Sequence, residues 1–260
     1  MPFTVSHIAA VLPGYRWFTR ANIFSAAVIG SMVPDFGLLA PGFLARWQTH
    51  SLEALFTFCL PVGLATYWLT LLLLRPAVIE VVPDRAYLRL RAAPPPASIT
   101  QPSAWLYAAA ALLLGAGTHL IWDAFTHENA RGVRMFPLLT DYGPELSGRP
   151  LHLYTWLQHG SSLIGLAVVV GALMFWLRHA PAPLEPPLRR IDRPERRAWL
   201  GAYVLPSVLV IGWLLLRPWP VGQSPFTSGG SLGTVAVDGM RCAAASLLLV
   251  SVLIRSRLAA

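Results

Sequence analysis

Lysine is absent from the 260 residues, and all 20 basic residues are arginine. Without a lysine amine the chain cannot form the Schiff base on which pyridoxal-type chemistry depends. Acids are few as well, 12 in all, and charged residues of both signs make up only 12% of the sequence. A soluble domain carries roughly 25%, so this chain cannot clothe a water-facing surface. The only two cysteines, Cys59 and Cys242, lie inside apolar runs; a disulfide-rich secreted module is excluded and the redox compartment is left open. There is no P-loop, no G-x-S-x-G elbow, no internal repeat and no low-complexity tract.

What is present is apolar surface. Hydrophobic residues make up 55% of the chain and the mean hydropathy is +0.55. Ala54–Leu74 runs 21 residues without a charge, and Ala104–Trp122, Gly160–Leu177 and Ala198–Leu216 are comparable. A bilayer core needs about 20 helical residues. A fifth run, Gly233–Ile254, holds Asp238 and Arg241 at i,i+3, a spacing that lets them pair on one helix face. Pro61 and Pro206 fall inside spans, where neighbouring helices absorb a kink. The expected fold is therefore all-α and polytopic, with about five transmembrane helices. Toward the start, Ser6–Leu12 reads as a short helix stopped by Pro13-Gly14. Ala21–Val33, at 13 residues, is more typical of a re-entrant or interfacial segment than of a span, a sixth crossing being the open alternative, and it is without the pattern of a cleaved signal peptide.

The formal charge of +8 would suggest nucleic acid in a soluble protein, but here the arginines lie mostly in loops between apolar runs. Six fall between Arg178 and Arg197, four in the loop after the first span and two in the tail, against seven in the alternate loops. The positive-inside rule then puts those three segments in the cytoplasm and the N-terminus outside. No nucleic-acid partner is expected, and the bilayer is the principal one. The proline-rich stretches Ala92–Pro96 and Ala180–Pro187 are linkers. Residues 1–260 form one integral membrane domain in this reading: 1–50 contributes polar residues, 51–180 holds the core spans and 198–255 adds two more.

Six of the seven histidines, His7, His50, His119, His127, His152 and His159, fall on the predicted outer side, and only His179 does not. The strongest local signal is Thr118-His119-Leu120-Ile121-Trp122-Asp123-Ala124-Phe125-Thr126-His127. On a helix, residues four apart advance by about 40°, so His119, Asp123 and His127 share one face. Imidazole, carboxylate, imidazole on a face presents ligands to zinc or another divalent ion. His152 and His159, seven apart, also share a face if helical, with Gln158 beside the second. Asp35 is the only acid before the first span apart from Glu53 at its edge. The candidate metal ligands are thus His7, Asp35, His50, His119, Asp123, His127 and His159. That pool oversupplies one tetrahedral site, and a pair of ions bridged by Asp123 is an open alternative. A structural polar network is the other.

The segments Met1-Pro2-Phe3-Thr4-Val5-Ser6-His7, Gly30-Ser31-Met32-Val33-Pro34-Asp35, Thr49-His50-Ser51, the Thr118–His127 stretch and Gln158-His159-Gly160-Ser161-Ser162 resemble a bacterial family of multi-spanning membrane proteins known as a domain of unknown function. More distantly, the early His, the Asp, the His-Ser before a helix and the His-x-x-x-Asp are similar to membrane-bound metal-dependent hydrolases and to the zinc phospholipase C type of site. That resemblance implies His50, His119 and Asp123 around one ion, with His7 and Asp35 near another. The later His-x-x-x-Glu of such phospholipases is missing, since Leu163 stands four residues after His159.

Two functions follow as expectations. One is a metal-dependent hydrolase, with zinc as cofactor, acting on an ester or phosphoester at the outer face of the cytoplasmic membrane. Asp35, Asp123 and Glu128 would be the catalytic carboxylates, the first two as ligand or base, and Glu128 or Arg131 would contact a lipid-linked or envelope substrate. The other is a non-enzymatic transporter or partner-stabilising subunit whose His/Asp cluster is an ion-handling or structural network.

Overall fold

The computed structural model describes residues 4–20, 23–39, 44–93, 100–146, 149–182, 190–217 and 231–259. Most of the two proline-rich linkers and the opening Met1-Pro2-Phe3 lie outside them. The chain is an all-α polytopic membrane protein. Five helices are long and apolar enough to cross a bilayer: α2 (Leu55–Val81), α3 (Pro102–Thr126), α4 (Leu153–His179), α5 (Arg193–Leu216) and, over Val235–Ala259, the greater part of α6 (Ser231–Ala259). Ahead of them, α1 (Phe24–Met32) runs on as a 3-10 turn to Leu39 and is too short to span. The N-terminal segment opens as 3-10 helix over Thr4–Ala10 and is interrupted at Val11; the expected stop at Pro13-Gly14 is not one, since both residues lie in a 3-10 turn, Leu12–Gly14, that leads directly into the helix Tyr15–Arg20.

Two departures from the sequence reading are informative. The first span does not stop at Leu74; α2 continues to Val81 and carries Arg75 and Glu80 inside it. Two π turns, Leu55–Cys59 and Thr70–Leu74, stand just ahead of Pro61 and Pro76. A proline cannot donate to the carbonyl four residues back, and the wide turn moves the register by one residue before each ring, so the helix passes both. The second departure is a small antiparallel hairpin, β1 (Tyr142–Leu146) with β2 (Arg149–His152), which pairs Tyr142 with His152.

The chain divides into two compact units. The first comprises Met1–Tyr67 and Pro96–Phe175. Its organising contact is α1 against α3, made through small residues. A Cβ on Gly30 would lie 2.3 Å from the Leu112 carbonyl oxygen, and one on Gly115 would lie 2.3 Å from that of Ala27. Ala26, Ala27, Ala108, Ala111 and Ala116 complete the buried stripe. In lipid there is little hydrophobic gain from helix association, so close backbone approach carries the packing. Here it also sets the depth at which the polar side chains of α3 meet those following α1.

The second unit comprises Trp68–Pro95 and Trp176–Ala260. Ala77, Val81, Ile191, Val250 and Ile254 form its core, with Trp199, Leu200 and Tyr203 against them. The α5 N-terminus is capped by Asp192, whose side chain accepts from the Glu195 amide at 2.9 Å. Arginines answer the acids of this unit: Arg91 pairs with Glu80, Arg196 with Asp84 at 2.8 Å, and Arg241 with Asp238 at 2.6 Å. The last is the i,i+3 pair expected from the spacing.

Candidate metal centre

Four segments of the first unit deliver side chains to one buried place. The N-terminal 3-10 helix supplies His7, the turn after α1 supplies Asp35, the residue before α2's first turns supplies His50, and α3 supplies His119 and Asp123. His7 and His119 are fully buried, Asp35 is 4% and Asp123 6% exposed. Two overlapping groups of ligand atoms result, His7–His119–Asp123 and Asp35–His50–His119, each within 4.8 Å of one another. Such groups can hold a metal ion.

The hydrogen bonds at the back of the rings fix which nitrogen faces inward. His119 Nδ1 lies 2.8 Å from the Ser31 carbonyl oxygen, so Nδ1 carries a proton and, in the neutral ring, Nε2 holds the lone pair. The Thr49 hydroxyl donates to the Arg46 carbonyl at 3.2 Å, so its oxygen accepts from His50 Nδ1 at 2.7 Å, and again Nε2 is left with the lone pair. Those two nitrogens point at carboxylate oxygens. His50 Nε2 is 3.3 Å from Asp35 Oδ1 and 3.6 Å from Asp123 Oδ2. His119 Nε2 is 3.7 Å from Asp35 Oδ1 and 3.5 Å from Asp123 Oδ2. A charge-assisted hydrogen bond would close to about 2.7–2.9 Å. Ligand atoms around a tetrahedral zinc with bonds near 2.1 Å stand about 3.4 Å apart. The observed spacings are of that second kind.

The remaining atoms tell the same story. His7 Nδ1 and Nε2, His50 Nε2, His119 Nε2 and Asp123 Oδ1 are all buried without a hydrogen-bond partner. Burying such groups unpaired costs roughly 1–3 kcal/mol each, and here they gather instead of scattering. His7 stacks on His119 with ring centroids 3.8 Å apart, and its Nε2 is 3.7 Å from Asp123 Oδ1. Burial, helped by the neighbouring His119, pushes the His7 imidazole down to about 4. At neutral pH it is uncharged and able to donate an electron pair. Burial would raise the Asp35 carboxyl, but the adjoining His50, the nearby His119 and a 2.8 Å hydrogen bond from Thr4 hold it below its ordinary value.

Not every expected ligand arrives. The helical face breaks before His127, because α3 ends at Thr126 and His127 is extended. Its Nδ1 still comes within 3.4 Å of Asp123 Oδ1, but its Nε2 accepts from the Gln158 amide at 3.0 Å, which makes it a rim residue. Burial lowers it to about 4 despite Asp123. His152 and His159 do not share a helix face: α4 begins only at Leu153, and His152 closes the hairpin, bonding the Thr140 carbonyl at 2.6 Å. His159 is exposed, and it is its neighbour Gln158 that turns inward. Glu128 and Arg131 are exposed positions after α3.

Sequence reasoning passed over Arg46, whose Nη2 donates to Asp123 Oδ2 at 2.6 Å across 77 positions of chain. It also passed over the orienting groups Ser31, Thr49 and Thr4. Thr49 had a signal, its adjacency to His50; the Ser31 carbonyl had none.

An all-α polytopic protein with a buried imidazole–carboxylate centre is thus the class that fold and site define. The chain belongs to the family described as a domain of unknown function, DUF4184, whose model matches residues 1–253. Neither a curated protein nor a solved structure matches it. The distant similarity to metal-dependent hydrolases therefore rests on the ligand pattern alone.

Proposed function

We propose that this protein is a membrane-embedded, metal-dependent hydrolase that holds zinc among His7, Asp35, His50, His119 and Asp123 and cleaves an ester or phosphoester at the outer face of the cytoplasmic membrane. The observation that carries the reading is the convergence of three imidazoles and a carboxylate, with His7 Nε2, His50 Nε2, His119 Nε2 and Asp123 Oδ1 all buried without a hydrogen-bond partner, at ligand spacing. A divalent ion there supplies Lewis acidity and a coordinated water with a pKa near about 7. Asp35, fixed by Thr4, and Asp123 would hold the ion together with the imidazoles, and a carboxylate oxygen not engaged in holding it would be placed to act as a base. Trp122, in edge contact with His7, also lines an apolar groove with Ala10, Ile121, Phe125 and Leu157, a surface fit for the hydrocarbon part of a lipid-linked substrate. The outward orientation follows from the arginine distribution.

A transporter would need polar residues continuing along the buried face. From Ala104 to Ala116 that face of α3 is Ala104, Ala108, Ala111, Leu112, Gly115 and Ala116, all apolar or small. Polar groups gather at one end only, which favours a pocket over a pathway.

The test is metal analysis of the full chain purified in detergent, followed by hydrolysis of a chromogenic phosphodiester. Stoichiometric zinc is expected in the wild type and in His159→Gln, with zinc and turnover both lost in His119→Gln. Asp35→Asn, which keeps shape, guards against misfolding and should lose zinc while holding its melting midpoint. A wild type free of divalent metal, or one whose zinc survives both ligand variants, would falsify the proposal.

A further inference from the structure

We infer that Arg46 is an oxyanion-binding residue of this centre, freed from Asp123 when a divalent ion is bound, and that the group it takes is the phosphate of a phosphoester. The inference rests on the metal reading above and narrows its substrate class. Arg46 opens a closed turn. Its carbonyl accepts from the Thr49 and His50 amides at 3.1 and 2.9 Å, and the Gln48 side chain accepts from the Ala45 amide at 2.7 Å. The main chain of Arg46 is therefore held in the same turn that holds His50, and only its side chain can swing.

That side chain is 46% exposed, whereas its partner Asp123 is 8% exposed. It reaches into the centre from the mouth. It does so with one nitrogen, Nη2, on one oxygen, Oδ2. No other hydrogen bond of that guanidinium is made among the described residues.

The oxygen it holds is the same one that stands 3.5 Å from His119 Nε2 and 3.6 Å from His50 Nε2. An ion held by those nitrogens would draw on that oxygen, and the repulsion of a second cation would weaken the Arg46 contact to it. Arg46 then loses its carboxylate while its backbone keeps it at the mouth. Charge completes the argument. Two carboxylates balance a divalent ion, the imidazoles are neutral, and the guanidinium is left as an uncompensated positive charge beside the reacting centre. A planar fork with free donors fits the paired oxygens of a phosphate, whereas a carboxylic ester brings no anion to it.

Titration calorimetry on the full chain in detergent, with zinc first and then inorganic phosphate on the zinc-loaded protein, tests this. Phosphate should bind the wild type, and Arg46→Ala should weaken it by about tenfold or more, while zinc affinity holds or rises because a competing cation is gone. Arg46→Lys should restore only part, having charge without the fork. Phosphatidic acid binding more tightly than glycerol 1-phosphate, with both dependent on Arg46, assigns the phosphate to a lipid headgroup; equal binding assigns it to a soluble ester. Unchanged phosphate binding in Arg46→Ala overturns the inference, as does a parallel loss of zinc, which would make Arg46 a structural prop. A wild type that takes no zinc overturns this inference and the metal reading together.

Discussion

The two units treat their acids in opposite ways. In the second, each of Glu80, Asp84 and Asp238 meets an arginine, and the charges cancel within the protein. In the first, Asp35 and Asp123 are surrounded by His7, His50, His119 and His127, with Arg46 the one arginine paired there among the described residues. An arginine is always charged and satisfies a carboxylate outright. A neutral imidazole with its proton turned outward does not; it adds a second electron pair facing the first. One set is finished as it stands, and the other leaves electron pairs that the proposed ion would take up. Residue type, more than residue count, separates a structural ion pair from a site.

The contrast can be broken most sharply at the acids themselves. Asp123→Asn should lower zinc affinity by more than the roughly 10–100-fold that loss of an outer-shell partner costs, whereas Asp84→Asn should leave zinc titration unchanged and shift only the melting midpoint. Equal losses in both would erase the distinction. Next in size is the packing that sets the depth of the centre. Gly30→Val drives a side chain into the Leu112 backbone, and overpacking of that kind costs about 1–3 kcal/mol. Its midpoint in detergent and its zinc affinity should both fall. Gly239→Ala meets only the flexible tip of Ile211 at 2.8 Å and should cost far less, with zinc binding intact. The smallest effect belongs to orientation. Thr49→Val removes the acceptor for His50 Nδ1 while keeping the shape, and zinc affinity should drop about tenfold with no change in midpoint.

Much of the fold was legible because hydropathy alone marks a span. All five predicted runs fall within helices, and the short segment before them stays short. The end of α2 was not legible, since Arg75 and Glu80 look like a loop until Glu80 is seen buried against Arg91. Within the centre, His119 and Asp123 were readable from i,i+4 spacing because α3 is continuous through both. At His127 the helix has ended, yet the ring stays 3.4 Å from Asp123; the same arithmetic failed at the His152–His159 pair, where the helix has not begun. On α4 it failed for a different reason. Lipid and protein interior are equally apolar, so periodicity does not say which face of the helix turns inward, and Gln158 took the place expected for His159. Arg46 was counted for orientation only; no local pattern links it to an acid 77 positions away.

The group that directs the proton on His119 is the oxygen of a peptide bond, so the side chain at position 31 has no say in it. The Ser31 hydroxyl bonds elsewhere, to the Val28 carbonyl at 2.8 Å, and takes no direct part in the tautomer. What a substitution cannot do is thicken the chain one step earlier, where a single methyl would lever the whole strand of backbone outward. A glycine that looks like mere filler is thereby the custodian of an acid–base state several ångströms away.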